Sequence, residues 1–322
     1  AFAQCVVDAG LTWIGPKPQC IALMGDKIQA RTRMQADGVP VVPGFACDDF
    51  SVVGCAAARV NAAGIGYPLI IKDPRGGGGR AMRAVWAAED FDAAFTAVAA
   101  EAKKLTGSVL LLVEKYIQQG RHIEVQVAGD GKQFIHLFER ECSIQRRHQK
   151  IIEEAPCNFV DSAVLEKMYA AAVTAARAVN YDSIGTVEFI VTPEQEFYFL
   201  EMNTRLQVEH AVTELTTGVD LVALHLQLAG SRSLPLQQTD IVRRGHAIEC
   251  RLYAEDPAAG FRPSAGMLRQ VTLPQHPYVR VEHDLRSGAE ISPFFDPMIA
   301  KSSAFGITRA ECIAHAVQFL TQ

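Results

Sequence analysis

The sequence predicts a mixed α/β (α+β) fold, in which a small module with a glycine loop precedes a larger part built on an antiparallel sheet. Alanine-rich helical stretches at 51–64 and 90–105 flank two short strand-like runs, and a glycine cluster separates those runs. Further along, runs rich in β-branched and aromatic residues at 185–192 and 197–203 flank a polar turn, a pattern typical of a β-hairpin. These signals are the basis of the predicted fold class.

The composition is that of an ordinary globular chain. Its 322 residues suggest about two domains, and 49% of them are apolar while 21% are charged. The 31 Lys and Arg against 36 Asp and Glu give a formal charge of −5, which argues against a dedicated nucleic-acid binder. The 8 cysteines are scattered without a Cys-x-x-Cys pair, which favours buried thiols in a reducing compartment over a zinc site or disulfides. No apolar stretch reaches the roughly 18 residues of a membrane span, so we expect a protein of the cytoplasm or, alternatively, of the mitochondrial matrix.

The order of elements can be predicted along the chain. A short apolar run at 11–18, stopped by Gly15 and Pro16, predicts a strand that ends in a loop. A single helix should follow over about 21–37 and end at Gly38. The remaining predicted elements are strands at 67–72, 82–86, 109–115, 122–129 and 133–138, a helix at about 163–179, and an α+β segment after a polar connection at 231–241.

The predicted hairpin carries a row of polar residues. If its turn is symmetric, Thr192 faces Phe197, and Glu188 lies opposite Glu201 with Cβ atoms about 5 Å apart. With a period of two, one face would carry Glu201, Asn203, Arg205, Gln207 and Glu209. Alternation alone is most often a solvated strand face, but opposed carboxylates with an amide at the same spacing also suit Mg²⁺. Without a cation, one of the two carboxyls should have a raised pKa.

A glycine cluster at 76–79 follows a predicted strand that ends in Lys72 and precedes a second strand. Its formal match to G-x-G-x-x-G/A is weak, because that fingerprint should open a helix, and no Gly-x-x-x-x-Gly-Lys-Ser/Thr sequence is present. A glycine loop between two strands can instead fold over phosphates and offer backbone N–H groups, while a lysine meets the charge. The alternative is a plain flexible hairpin tip.

Two further stretches, 113–124 and 145–156, are dense in ionic and hydrogen-bonding residues. Alone, the second is a basic run of the kind usually found in solvated loops. Taken together with the hairpin and the glycine cluster, these stretches resemble the biotin carboxylase family of the ATP-grasp fold, over essentially the whole chain. The matching blocks are MGDK at 24–27, IIK at 70–72, GGGGR at 76–80, EKYI at 114–117, RHIEVQV at 121–127, ERECSIQRRHQKIIEEAP at 139–156, EFYFLEMNTRLQVEH at 196–210, GHAIECRLYAEDP at 245–257 and DPMIAK at 296–301.

The resemblance implies an ATP-grasp fold with a small glycine-loop lid and a larger antiparallel-sheet domain, and a role for each matching residue. The implied cofactor-binding residues are Lys27, Lys72, Gly78, Gly79, Glu114, Lys115, Tyr116, Ile117, His122, Gln145, His148 and Val208. The implied ligands of Mg²⁺ or Mn²⁺ are Glu188, Glu201 and Asn203, which agrees with the hairpin pattern. The implied catalytic residues are Lys150 and Arg205 on bicarbonate, Glu209 as the base, and Arg280 facing the ureido oxygen of biotin.

The implied reaction is the ATP- and bicarbonate-dependent carboxylation of biotin on a carrier domain through carboxyphosphate. This is the first half-reaction of a biotin-dependent acyl-CoA carboxylase. Its implied partners are a biotin carboxyl carrier domain and a carboxyltransferase, with a homo-oligomer for the full-length chain and neither nucleic acid nor membrane. Another ATP-grasp carboxylate ligase would share the lid, the metal pair and the acyl-phosphate chemistry. A nucleotide-binding piece without turnover is the second alternative.

The resemblance also implies a division of the chain. We expect a remnant of an N-terminal nucleotide-fold subdomain with a linker helix at 1–43, the lid at 44–116, the catalytic subdomain at 117–235, and an incomplete C-terminal subdomain at 236–322. The chain opens on Ala1, in what reads as the middle of a helix, so we expect a sequence truncated at both ends. Ala81 stands where the family usually has glycine, which should stiffen the lid loop because alanine disfavours positive φ.

Overall fold

The computed structural model describes residues 1–75, 81–107 and 110–322, so that Gly78 and Gly79 lie outside the described residues. The helices are α1 (Phe2–Asp8), α2 (Pro18–Gly25), α3 (Lys27–Ala36), α4 (Val52–Ile65), α5 (Phe91–Thr106), α6 (Ser162–Ala178), α7 (His210–Thr217), α8 (Leu221–Ser231) and α9 (Arg309–Leu320). The strands are β1 (Gly44–Cys47), β2 (Leu69–Lys72), β3 (Met82–Val85), β4 (Leu111–Lys115), β5 (Arg121–Gly129), β6 (Phe134–Arg146), β7 (Gln149–Ala155), β8 (Ile184–Val191), β9 (Phe197–Asn203), β10 (His246–Tyr253), β11 (Glu255–Asp256), β12 (Arg262–Pro263), β13 (Gly266–Met267), β14 (Val279–His283), β15 (Glu290–Ile291) and β16 (Met298–Gly306).

A four-stranded antiparallel sheet in the order β1-β4-β2-β3 forms the small module. Leu69 and Ile71 alternate inward along β2, and they pack with Phe91 and Phe95 of α5 in one apolar cluster. Ser51 caps the start of helix α4, since its hydroxyl accepts a hydrogen bond from the Gly54 N–H. The two helices and the two short strands predicted in this stretch are confirmed.

An eight-stranded antiparallel sheet in the order β14-β16-β10-β7-β6-β5-β8-β9 forms the larger part. On one of its faces, alternate residues of β5 and β8 pack against α3 and α6 in the largest apolar cluster. On the other face, apolar residues of β5, β6 and β8 pack against α8. Helix α7 lies over the middle strands of the sheet. The residues of β5 and β8 that point towards α7 include Glu124, Gln126, Thr186 and Glu188, which are all buried. A polar interior therefore lies beneath α7.

The hairpin of β8 and β9 contains a β-bulge that the symmetric-turn prediction missed. Val191, not Thr192, pairs with Phe197, so the predicted register at the turn is wrong by one residue. The register shifts between Glu188 and Phe189, where Leu200 has no partner, and Glu188 then pairs with Glu201 as predicted. The prediction therefore contains two errors, a turn register displaced by one residue and a missed bulge that adds one residue to β9. They compensate each other, so the predicted pairing of the two carboxylates is correct.

Three other predictions are wrong. The segment 11–17 is irregular, with Leu11 and Ile14 exposed, because it has no strand partner among the described residues. The helix predicted over 21–37 is two helices, since Asp26 has an extended backbone and its carboxylate accepts hydrogen bonds from the first turn of α3. The strand predicted at 133–138 continues to Arg146. Within the described ranges no helix combines the length and the apolar content needed to cross a membrane.

Replacing Asp26 with alanine should destabilise the protein by about 1 kcal/mol at neutral pH, because the first turn of α3 loses its cap. The hydrogen bond from the Gln29 N–H holds the pKa of Asp26 below its usual value, so this stabilisation should be lost as the pH falls through the folded pKa. Urea unfolding at neutral pH and at about pH 3 measures both effects. The control is Asp37→Ala, which removes one exposed ion pair with Arg33 and should cost less than about 0.5 kcal/mol. Equal losses from the two variants would contradict the capping role.

Candidate active site

An open cleft of about 520 Å³ lies beside the polar interior, where β5 to β10 approach α7. Twelve of the residues to which the resemblance assigns a role line it: Lys27, Lys72, His122, Gln145, His148, Lys150, Glu188, Glu201, Asn203, Arg205, Val208 and Glu209. They come from separate parts of the chain, and the antiparallel order of the sheet brings them together. The cleft therefore gathers most of the predicted site.

Lys150 on β7 lies at the centre of the cleft floor among three carboxylates. Its Nζ is 2.5 Å from Oε2 of Glu124, 2.9 Å from Oε1 of Glu188 and 2.7 Å from Oε1 of Glu209. Burial alone would lower the pKa of this ammonium, but the three negative charges outweigh burial and raise it. Lys150 therefore stays charged and holds residues of three different elements together.

Beneath Lys150, the guanidinium of Arg140 is fully buried and uses all five of its N–H donors. Its Nε donates to Oε1 of Glu124 at 2.5 Å. The other four donors contact Gln126, Thr213, Thr186 and Gln207 at 2.7 to 3.2 Å. Because both oxygens of Glu124 are engaged, one by Arg140 and one by Lys150, the position of Lys150 is anchored in the core.

Glu188 is surrounded by donors rather than left unpaired. Its Oε1 accepts from Lys150, Asn203 and Gln207 at 2.8 to 2.9 Å, and its Oε2 lies 2.6 Å from Nε2 of His122. Burial would raise the pKa of Glu188, but His122 and Lys150 outweigh burial and lower it. The expectation of a raised pKa on this hairpin is therefore wrong for Glu188, because side chains of β5 and β7 reach a carboxylate that the hairpin sequence alone leaves unpaired.

Glu201 lies across the hairpin from Glu188 and is only half-buried. Its Oε1 is 3.4 Å from Nδ2 of Asn203, a long contact that leaves the carboxylate facing the cleft. The predicted row of polar residues does not continue as a strand, since β9 ends at Asn203. Gln207 and Glu209 nevertheless face the same interior from the segment before α7, while Arg205 is exposed at the rim.

Glu209 is held from two sides. Lys150 binds its Oε1, and Nη2 of Arg251 lies 3.1 Å from its Oε2. Arg251 and Tyr253 on β10 line the cleft, but sequence reasoning assigned them no role. A signal was present: Glu249, Arg251 and Tyr253 place polar side chains at every second position of a strand, and the positions between them are apolar.

The remaining predicted residues lie beside the cleft rather than in it. Glu114 bridges Lys72 at 2.5 Å and Arg31 at 3.0 Å. The ammonium of Lys115 donates to the carbonyls of Gly66 and Tyr67 at 3.1 and 2.9 Å. Tyr116 packs edge-on against Trp86, and Ile117 lines a neighbouring groove together with Tyr116.

Arg280 on β14 is not among the described residues that line the cleft. Its guanidinium binds Glu282 and lies 2.5 Å from Oε2 of Glu214 on α7. Its predicted place opposite biotin stays a prediction.

At the base of the lid loop, Ala81 has φ near 50°, a conformation that costs an alanine more than a glycine. Its carbonyl accepts from the Asp73 N–H at 2.9 Å, and its N–H donates to Glu101 at 3.1 Å. Thr106 donates to Asp73 at 2.6 Å. Residues of helix α5 therefore form hydrogen bonds with both ends of the loop.

A lid sheet, a broad antiparallel sheet and a carboxylate-lined cleft between them define a nucleotide-dependent ligase of the ATP-grasp class. Residues 26–237 match the family model described as the carbamoyl-phosphate synthase L chain, ATP binding domain, and residues 249–322 match the biotin carboxylase C-terminal domain. The chain belongs to the biotin carboxylase family.

Relatives and solved structures agree with this placement. The chain is 47% identical to the biotin carboxylase of Halalkalibacterium halodurans, over 100% of this chain and 70% of that protein. It is 46% identical to the mitochondrial methylcrotonoyl-CoA carboxylase subunit alpha of Glycine max, over 97% of this chain and 42% of that subunit. The structure of a biotin carboxylase–β-γ-ATP complex from Campylobacter jejuni superposes with a TM-score of 0.92 at 40% identity, covering 99% of this chain and 71% of that one.

Another similar solved structure contains bound nucleotide and bicarbonate. The biotin carboxylase domain of the Hydrogenobacter thermophilus 2-oxoglutarate carboxylase, a dimer with MgADP, ADP and bicarbonate, also has a TM-score of 0.92 at 40% identity. It covers 100% of this chain and 70% of that one.

Replacing Lys150 with glutamine should destabilise the protein by about 3–5 kcal/mol at neutral pH, because three carboxylates lose their common cation. Wild-type Glu188 and Glu124 have lowered pKa values, so their stabilising contribution is present at neutral pH and declines as the pH falls. The difference between the variant and wild type should therefore shrink towards acidic pH. Urea unfolding at several pH values measures it, with the exposed Lys132→Gln as the control. A loss that does not vary with pH would contradict the electrostatic origin.

Proposed function

We propose that this protein catalyses the ATP- and bicarbonate-dependent carboxylation of biotin on a carrier domain. The observation that carries the proposal is the clamped carboxylate of Glu209, which Lys150 and Arg251 hold at 2.7 and 3.1 Å beside the opposed Glu188 and Glu201. A carboxylate that two cations orient within a cleft is suited to accept the proton of a bound bicarbonate. Bicarbonate can then attack the terminal phosphorus of ATP and release ADP.

The cations of the cleft are the second part of the mechanism. Lys150 is charged and lies between Glu209, the proposed base, and Glu188, so its positive charge can attract the anionic substrate to the floor of the cleft. Arg205 lies exposed at the rim, where its planar guanidinium can bind a small oxyanion through two N–H donors. Lys27 and Lys72 line the end of the cleft nearest the lid, where the phosphates of a nucleotide would need positive charge.

The oxygen donors of the hairpin fit Mg²⁺ or Mn²⁺. Glu188 and Glu201 are directly opposed, Asn203 follows on the same face, and all three line the cleft. Hard oxygen ligands of this kind, together with the phosphates of a nucleotide, are the usual environment of Mg²⁺. When bound, the ion would neutralise charge on the transferring phosphoryl group. Glu188 is also within 2.6 Å of Nε2 of His122 and 2.9 Å of Nζ of Lys150.

Arg251 is the arginine that we propose for the biotin end of the site. It lines the cleft, it touches the proposed base, and burial does not remove its charge because Glu153 and Glu209 hold its pKa above the usual value. A fixed guanidinium beside the base can stabilise the oxyanion that develops on the ureido group of biotin. The sequence-based assignment of this role to Arg280 has less support, since Arg280 is paired with Glu214 and Glu282.

The wider setting is proposed on the family relationship. A biotin carboxyl carrier domain and a carboxyltransferase are the expected partners, and the four subdomains keep the boundaries 1–43, 44–116, 117–235 and 236–322. The lid sheet and its helices lie inside the second interval. We propose the cytoplasm or the mitochondrial matrix as the compartment, because the cysteines are free thiols and several are buried.

The first test compares two arginines. With ATP and Mg²⁺, ADP formation should require bicarbonate and increase with biotin, and an amine or amino acid should not replace bicarbonate. Arg251→Gln should lower biotin-dependent ADP formation about 10²-fold or more while nucleotide affinity is retained, since one preorganised donor is removed. Arg280→Gln is the matched comparison and should lower it much less. The reverse order would return the biotin role to Arg280, and ADP formation independent of bicarbonate would refute the proposed function.

The second test concerns the metal. Replacing Glu201 with glutamine should abolish the part of the melting-temperature increase that ADP produces only when Mg²⁺ is present. The metal-free melting temperature should change little, because Glu201 is half-buried and, among the residues that the structure describes, its carboxylate makes one long hydrogen bond. Thermal melts with and without Mg²⁺ and ADP measure both, with the exposed Glu166→Gln on α6 as the control. The same Mg²⁺-dependent shift in wild type and Glu201→Gln would rule out the metal assignment.

A further inference from the structure

Two carboxyl side chains that the proposed mechanism does not use are buried behind the cleft. Glu153 on β7 and Glu249 on β10 are paired directly across the two antiparallel strands, and each is 0% exposed. Side chains so paired on one sheet face have Cβ atoms about 5 Å apart. Two ionised carboxylates at that separation and depth would be strongly unfavourable.

The hydrogen bonds of the pair leave one oxygen of each carboxyl unused. Oε1 of Glu153 accepts from Nε of Arg251 at 2.7 Å, and Oε2 of Glu249 accepts from Oγ of Ser303 at 2.8 Å. Oε2 of Glu153 and Oε1 of Glu249 are buried without a hydrogen-bond partner among the residues that the structure describes. A proton on either carboxyl would give one of these oxygens a donor and remove one of the two charges.

The charges around the pair also favour a bound proton. Burial raises the pKa of Glu153 to about 8, since the opposing effect of Arg251 is offset by the charges of Glu249 and Glu209. Burial likewise raises the pKa of Glu249 to about 7, despite Lys301 and Ser303. The charged and titratable groups on the surrounding elements are Cys142 on β6, Cys250, Arg251 and Tyr253 on β10, Lys301 on β16, Arg280 and Glu282 on β14, and Glu209, His210 and Glu214 at and within α7.

Arg251 connects the pair to the cleft. Its Nη2 lies 2.6 Å from Oε1 of Glu153 and 3.1 Å from Oε2 of Glu209, so one guanidinium is shared by the buried carboxyl and the proposed base. When Glu153 carries no charge, the guanidinium is available to Glu209 and to anions bound beside it. When Glu153 ionises, it competes for the same cation.

We propose that Glu153 and Glu249 share one proton, and that Glu153 is thereby a positioning residue that keeps Arg251 directed at Glu209. The positioning role rests on the proposed function, whereas the shared proton does not. The positive charge that Arg251 presents to Glu209 then depends on the protonation of Glu153, which does not contact the substrate. It also predicts that the two carboxyls, although close in space, affect the reaction in opposite directions.

The shared proton can be observed directly by infrared spectroscopy of the protein at neutral pH. A protonated carboxyl gives a carbonyl band distinct from those of carboxylates, and wild type should show one that disappears as the pH rises. Glu153→Gln and Glu249→Gln should each lose most of that band, because each leaves a single carboxyl facing its own cation. Glu154→Gln, which changes the next side chain on the opposite face of β7, is the control and should retain it. Near-ultraviolet circular dichroism checks that each variant is folded.

The positioning role is tested by the pH dependence of kcat/KM for bicarbonate in biotin-dependent ADP formation. One pH unit above its pKa, about a tenth of Glu153 remains protonated, so wild type should lose about tenfold between about pH 7 and about pH 9. Glu153→Gln should extend the plateau to higher pH. Glu249→Gln should move the decline to lower pH, because Glu153 then ionises more easily. A structural role alone would not shift two isosteric variants in opposite directions.

Each result decides one part of the proposal. A full carbonyl band in Glu249→Gln would overturn the shared proton, whether or not the protein turns over. Coincident pH profiles of the three proteins would overturn the positioning role. Absence of bicarbonate-dependent ADP formation from wild type itself would refute the proposed function and the positioning role with it, while the infrared band would still decide the shared proton.

Discussion

The ion pairs of Lys150 are the interaction on which the rest of the site depends. One ammonium contacts carboxylates from β5, from β8 and from the start of α7, so it fixes the distance between the two sides of the cleft. Buried charges of this kind are costly unless each is matched and hydrogen-bonded. The matching is provided from below by Arg140, which anchors Glu124, and from the side by Arg251, which shares Glu209.

This network explains why so much polar surface lies inside a globular core. The face of the sheet that carries Glu124, Gln126, Thr186 and Glu188 packs against α7 rather than against water. The opposite face is apolar and packs against α6. The apolar face therefore contributes most of the hydrophobic stabilisation, and the polar face supplies a fixed arrangement of charges.

Much of the fold could be predicted from the sequence, because the helices and strands of the lid and the hairpin have strong local patterns. The opposition of Glu188 and Glu201 was also predicted correctly, but only because the bulge at Leu200 compensates for the wrong register predicted at the turn. What could not be predicted are contacts that depend on the order of strands in the sheet. Nothing local indicates that β10 pairs with β7 or that β8 pairs with β5, and hence that Arg251 reaches Glu209 or that Lys150 reaches Glu188. The break at Asp26 was missed for a different reason, since an aspartate cap is a weaker signal than a proline.

The buried guanidinium of Arg140 has a consequence for anyone who transfers this site to another scaffold. Its five donors meet five acceptors on five residues, drawn from β5, β8, α7 and the segment before α7. A lysine has three donors and no planar fork, so it cannot replace this arginine. A graft of the visible cleft residues alone would leave Glu124 unsupported. A functional copy of the cleft therefore has to include Arg140 and the five residues that accept its hydrogen bonds.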